Sequence, residues 1–263
     1  MSSIKAGLNV LTKRHKKIIE RRSTGIKDLD ELLEGGFPNH CGVLLLGPPG
    51  CGKSVFCRQF LWAGLKNGEI GVYIAYDHSP DDIRDSMASF GWDVTPYEEK
   101  GTFAIIDCYN GPLGIKSGEK YYVESPLNVD EFIYITDKCV IEKAQLVGPD
   151  GKVRVAFDSG SPITNVLKLA GLFKTSKRFQ MYLKKYNVVG LHVTHQGMQN
   201  KIIETFLRQA VDGAIEFDKR IENDMMNYYL WISKMPMTAH SRRVQRYVID
   251  KNGISIVKKK HSE

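Results

Sequence analysis

The sequence predicts an α/β domain: a mainly parallel, twisted sheet flanked by helices, with an antiparallel strand pair near its C-terminal end. Three observations carry this expectation. Short apolar runs rich in Val, Ile and Tyr alternate along the chain with segments of helical spacing, which implies parallel strands joined by crossover helices. One such run passes directly into a glycine-rich turn and then a helix, between Gly42 and Leu65. The length, 263 residues with 42% hydrophobic content, suffices for one large core and lies near the size above which chains divide.

Residues 1–22 contain Lys13, Arg14, Lys16, Lys17, Arg21 and Arg22 and read either as a basic amphipathic helix or as a loose arm. Their charges follow a weak apolar segment, the wrong order for a secretory signal. No apolar run of about 18 residues occurs, so no membrane span is expected and the protein is expected to be cytoplasmic. Ser23 or Thr24 is placed to cap a short helix with Leu29, Leu32 and Leu33 on its core face, and Gly35-Gly36 ends it.

Val43 to Leu46 form the first buried strand. Gly47-Pro48-Pro49-Gly50-Cys51-Gly52-Lys53-Ser54 follows in the G-x-x-x-x-G-K-[ST] pattern, and Val55, Phe56, Phe60, Leu61 and Leu65 mark the apolar face of the next helix. Glycines let the loop turn its N–H groups inward on phosphate oxygens, at the positive end of the helix dipole. Lys53 then reaches the β- and γ-phosphates, and the Ser54 hydroxyl is a magnesium ligand. With strand before and helix after, the pattern defines a site for a nucleoside triphosphate with magnesium.

A second strand covers Ile70 to Tyr76 and ends at Asp77, His78 and Ser79; Pro80-Asp81-Asp82 opens a helix that Gly91 closes. Gly101 to Asp107 is a third strand. Residues 108–127, rich in Gly, Pro and charge, form an inserted loop, either functional or mobile. A helix spans about Val129 to Gln145, with Phe132, Ile133, Ile135 and Val140 on its apolar face. Val153 to Phe157 is a fourth strand ending in Asp158-Ser159, and a long helical stretch covers Pro162 to Tyr186. Val188 to Val193 is a fifth strand ending at Thr194-His195. A helix at Ile202–Ala210 and a strand at Gly213–Phe217 follow. Met226–Ser233 and Val244–Ile249 form the late strand pair, extended by Gly253–Val257.

Ligands bind outside the carboxyl ends of parallel strands. Asp77-His78, Asp158 and Thr194-His195 all fall at such ends, on the edge that carries the phosphate loop. Asp158 is either the second magnesium-side group or a turn residue, and its place after an apolar strand favours the metal. Asp77 and His78 are either the groups that orient or deprotonate an attacking water or loop residues that cap the next helix. Thr194 and His195 are positioned to sense the γ-phosphate, although His195 also fits a structural role; His192, inside the strand, is read as structural. The cysteines, Cys41, Cys51, Cys57, Cys108 and Cys139, are odd in number and form no C-x-x-C pair, which points to reduced buried thiols.

STGIKDLDELLEGGFP, GPPGCGKS, VYIAYDHSPDDI with FGWDV, VAFDS, and VDGAIEF followed by SKMPMTAHSRRVQRYVID occur in that order. Together they resemble the KaiC-like branch of the RecA superfamily, the bacterial clock ATPases and their archaeal relatives, over about residues 22–257. The resemblance implies a RecA-like P-loop NTPase core at 23–257, a basic tail at 258–263, ATP bound between adjacent subunits, and commonly a hexameric ring. It implies phosphate or magnesium contacts for Lys53, Ser54 and Asp158, and places the family's paired catalytic glutamates at Asp77 and His78, where both are changed. The neighbouring subunit's Lys-Met-Arg-Gly segment reads Lys234-Met235-Pro236-Met237 here, so Lys234 is retained and the arginine is not. The phosphorylated Ser-Thr pair of the clock proteins falls at Arg208-Gln209, which excludes autophosphorylation there.

Three functions fit these residues. One is a slow ATPase in an ATP-dependent ring with a regulatory role. Another is a nucleotide switch that recruits a protein partner through the 108–127 loop or the N-terminal arm. The third, favoured least, is a recombinase-like accessory on DNA. A net charge of +7 permits it, yet GMQNKIIETFLRQ offers only Lys201, Arg208 and Phe206 to a strand.

Overall fold

The computed structural model describes residues 19–166 and 169–258. Most of the N-terminal arm and the end of the basic tail lie outside them. The ten-stranded sheet is built from β3 (Gly42–Gly47), β4 (Ile70–Ala75), β5 (Phe103–Asp107), β6 (Tyr121–Tyr122), β7 (Val153–Asp158), β8 (Val188–His195), β9 (Gly213–Glu222), β10 (Met225–Lys234), β11 (Gln245–Asp250) and β12 (Gly253–Ile256). Its spatial order is β12-β11-β10-β9-β3-β8-β7-β4-β5-β6. The run from β9 to β6 is parallel, and β9 to β12 form an antiparallel meander on one flank.

Alternation along the strands divides the core into two layers. Val43, Leu45, Tyr73 and Ala75 face α2 (Lys53–Lys66), with its Phe56, Phe60, Leu61 and Leu65. Leu29 and Leu33, from α1 (Lys27–Leu32) and its end, join this layer, as do Ile83 and Met87 of α3 (Pro80–Ser89). On the reverse face Val72, Ile74 and Tyr76 meet Phe132 and Val140 of α5 (Val129–Val147), while Leu44 and Leu46 meet Leu207 of α8 (Lys201–Ala210). A short α4 (Thr95–Glu99), which no periodicity announces, follows α3.

Several expectations are revised. Arg21–Arg22 form β1, paired with β2 (Phe37–Pro38), so the fold begins before residue 23. Neither Ser23 nor Thr24 caps α1 through its side chain; the N-cap position is Ile26, and Asp30 reaches back to accept from the Thr24 N–H at 2.6 Å. Within the stretch 162–186 the described residues are helical at α6 (Ser161–Val166) and α7 (Leu169–Lys185). Residues 108–127 are largely loop, exposed from Pro112 to Lys116, with a single 3-10 turn at Gly111–Leu113 and one two-residue strand. β6 extends the sheet, Tyr121 and Val123 are buried, and Asp107 gathers the segment by accepting from the N–H of Tyr109 and Asn110, the Asn110 side chain and the Ser117 hydroxyl.

A buried cationic cluster underlies the sheet. Arg154, inside the apolar β7, makes a two-armed bond to Glu69, at 2.8 and 2.9 Å, and donates to the carbonyls of Ser23 and Phe60. Gly64 leaves the room: a β-carbon there would stand 2.4 Å from Arg154 Cδ. Arg22, one of the cations of the basic N-terminal stretch, is 1% exposed and donates to Val153 O and Asn39 Oδ1.

His192 does sit within the sheet, edge-on to Phe157 at 5.0 Å, with its Nε2 unpartnered. Burial pulls its pKa down from 6.5 to about 4. The unfolded chain therefore binds a proton between about pH 6.5 and 4 that the folded chain does not. Stability from this group is full above pH 6.5 and falls by up to about 3 kcal/mol towards pH 4. Denaturant midpoints at pH 7 and 4.5 are expected to differ clearly in the native protein, and by less in His192→Leu.

Candidate functional site

The site is set by strand order. β3, β8, β7 and β4 are consecutive neighbours, so their carboxyl ends present the phosphate loop, His195, Asp158 and Asp77 side by side. The parallel register places Gly47 opposite His195 and Ala75 opposite Asp158.

Gly47 to Ser54 join β3 to α2. At Gly52 the backbone has φ of +84°, and a β-carbon would meet Ile249 Cδ1 at 2.5 Å, so both conformation and space call for glycine. The Lys53 ammonium is held over the loop by Gly47 O at 2.8 Å and Pro48 O at 2.7 Å. Burial lowers its pKa, against the opposing pull of Cys51 and Asp158. Cys51 is buried with its thiol on Pro48 O at 2.9 Å, and burial pushes that thiol up, away from reactivity. Pro49 and Gly50 form the exposed rim, while Ser54 and Val55 are half-buried in the first turn of α2.

Asp158 is 3% exposed and accepts a hydrogen bond from the Tyr73 hydroxyl. Alternation along β7 puts it on the same face as Ala156, which with Tyr73 belongs to the core layer on the α2 side of the sheet. An alcohol and one carboxylate form a hard oxygen set of the kind that holds magnesium together with substrate phosphates. Among the described residues no cluster of three or more His, Cys, Asp or Glu could hold a metal ion.

Asp77 and His78 are exposed beyond β4. Neither caps α3: Ser79 does, in a reciprocal capping box with Asp82. Asp77 Oδ2 lies 3.6 Å from His195 Nε2. Burial would raise the Asp77 pKa, but attraction to His195 and Ser159, and the charge of His78, hold it below the ordinary carboxylate value. Asp77 is thus an anion at neutral pH, the state a proton acceptor needs.

Thr194 and Lys234 stand elsewhere. Thr194 is fully buried with an unpartnered hydroxyl, and alternation places it with His192 on the reverse face, opposite to His195. Lys234 pairs in register with Ala214, which lies opposite Leu44, away from the end of β3 that carries the loop. Its ammonium caps α8 by donating to Arg208 O at 3.1 Å and to Val211 O. Neither touches the phosphate loop of its own chain. Arg208 is tied to Glu216 and Glu204.

Sequence reading missed two tyrosines. Tyr73 pairs in register with Ala156, two residues before Asp158 on the neighbouring strand, and only that pairing brings its hydroxyl to the carboxylate. Tyr247 donates from β11 to the Cys51 carbonyl inside the loop, through 196 residues of separation that leave no local signal.

A parallel sheet with a phosphate loop after β3 and a carboxylate after β7 defines a P-loop nucleotide-binding protein of the RecA type. The model of the KaiC ATPase family matches residues 22–261. This chain belongs to the KaiC-like ATPases of the RecA superfamily. It is 35% identical over 249 residues to UPF0273 protein MK0039 of Methanopyrus kandleri, covering 90% of this chain and 92% of that one. With UPF0273 protein PH0284 of Pyrococcus horikoshii it shares 34% over 239 residues, 90% of this chain and 93% of the relative. The crystal structure of the KaiC-like protein PH0186 from Pyrococcus horikoshii OT3 superposes with a TM-score of 0.74 at 30% identity, over 91% of this chain and all of that one. No helix among the described residues is long and apolar enough to cross a membrane.

Proposed function

We propose that this protein binds Mg-ATP at Gly47–Ser54, assembles in an ATP-dependent manner into a hexameric ring, and hydrolyses ATP slowly to switch a regulatory state. The observation that carries the reading is the convergence of Lys53 and Ser54, His195, Asp158 and Asp77 at the ends of four adjacent strands. When bound, magnesium would neutralise phosphate charge. Ser54 and Asp158 would hold it, and the loop amides and Lys53 would orient the phosphates. Asp77, kept ionised by His195, would accept the proton of the attacking water, but its side chain is one methylene shorter than glutamate, which accounts for slow turnover.

Lys234 supports assembly. It stands at the end of the sheet remote from its own loop, so any phosphate it contacts belongs to a neighbouring copy. The test is ATP turnover with magnesium, with oligomer mass recorded with and without ATP. Slow turnover is expected in the native protein and none in Lys53→Ala. His78→Glu, which restores a longer carboxylate beside Asp77, is expected to raise the rate. Binding and assembly without any turnover would instead mark a nucleotide switch that recruits a partner. Failure to bind nucleotide would sink both readings.

A further inference from the structure

We propose that Lys219 is a second phosphate-gripping lysine, reaching the nucleotide's polyphosphate from the rim of the loop opposite Lys53. The proposal rests on the nucleotide-binding reading above and adds a residue from a different part of the chain.

Three observations place it. β3 pairs with β9 only as far as Leu46 and Glu216. Lys219 lies three residues further along, about 10 Å at the rise of a strand, level with the loop that leaves β3. Alternation puts Lys219 on the same face as Phe217, whose ring packs edge-on against Phe56 of α2 at 5.9 Å, the face over which the loop folds. The ammonium arrives there: a β-carbon built on Gly50 would stand 3.5 Å from Lys219 Nζ.

The charge at that point needs an explanation. Lys219 is exposed, and the adjacent acid, Asp218, is already engaged: one oxygen accepts from Arg220 Nε at 2.8 Å and the other from the Lys219 backbone N–H at 2.9 Å. Among the described residues the Lys219 ammonium has no carboxylate partner, whereas Arg220 beside it does. It hangs instead over a loop that already carries Lys53 and the positive end of α2. A free lysine gains nothing from that neighbourhood, but one that shares an anion with Lys53 and the loop amides gains a charge-assisted bond. The cross-strand partner Tyr228 packs on Tyr247 at 5.6 Å, and Tyr247 holds the Cys51 carbonyl, so the strands bearing Lys219 are fastened to the loop it overhangs.

The test is the affinity of the full chain for Mg-ATP, Mg-ADP and inorganic tripolyphosphate, measured by titration calorimetry on native protein, Lys219→Ala, Lys219→Glu, Lys219→Arg and Lys53→Ala. Lys219→Ala is expected to weaken all three ligands about tenfold and Lys219→Glu further, with Lys219→Arg close to native. Equal losses for ATP and tripolyphosphate identify phosphate, not base, as the contact. Because Lys219 is exposed, melting temperatures should stay at the native value. Native affinity in Lys219→Glu, alongside a defect in Lys53→Ala, overturns the proposal and leaves the site intact. No binding by the native protein overturns the nucleotide reading itself.

Discussion

Lys53→Ala is expected to cut Mg-ATP affinity by about a hundredfold or more while leaving the free protein folded. Its two carbonyl partners, Gly47 O and Pro48 O, belong to the loop itself, so the side chain bridges nothing distant. A buried ammonium at the positive end of α2 stands where the helix dipole opposes it, and burial has already lowered its pKa. Truncation removes that cost together with two hydrogen bonds, terms of about 1 kcal/mol each that offset one another. Calorimetric titration with Mg-ATP and a melting curve on the same sample check both halves. Retained affinity would falsify the assignment of the loop.

Arg154→Ala is expected to produce the opposite pattern, a large loss of stability, on the order of 3–5 kcal/mol, at a residue that touches no ligand. The guanidinium is fully buried and makes four hydrogen bonds, two to Glu69 and one each to Ser23 O and Phe60 O, lying over the Phe60 ring at 4.5 Å. Removing it strands Glu69 in the interior, with Arg22 at 3.7 Å as the remaining cation. Arg154→Met, tested beside Glu69→Gln, separates the two contributions: the double variant should recover part of what either single change loses, because neither partner is left charged and alone. Urea midpoints for the four proteins provide the measurement.

Much of the fold was legible because its signals are local. The phosphate loop, the helix that follows it and the parallel strands each declare themselves within a few residues, through glycine spacing, helical periodicity and apolar runs. Asp158 was legible as a polar residue ending an apolar strand. Gly and Pro announced the irregular backbone of 108–127, but nothing local shows that Asp107 gathers that backbone through its carboxylate. The burial of Arg22 was not legible either: a charged residue within a basic run gives no local sign of its partners, Val153 O and Asn39, which come from more than a hundred and from 17 residues away.

The sequence by itself determined the chemistry at each strand end: a lysine and a serine after one strand, an aspartate ending another, and an Asp-His pair after a third. Only the tertiary structure decided which of those groups meet. Strand order made β3, β8, β7 and β4 neighbours, alternation turned Thr194 away while bringing His195 to Asp77, and the β9–β12 meander carried Tyr247 and Lys219 to the loop. Contacts of that kind follow from hydrogen-bonded register between strands distant in sequence, and register is settled by burial of whole faces, not by any single residue.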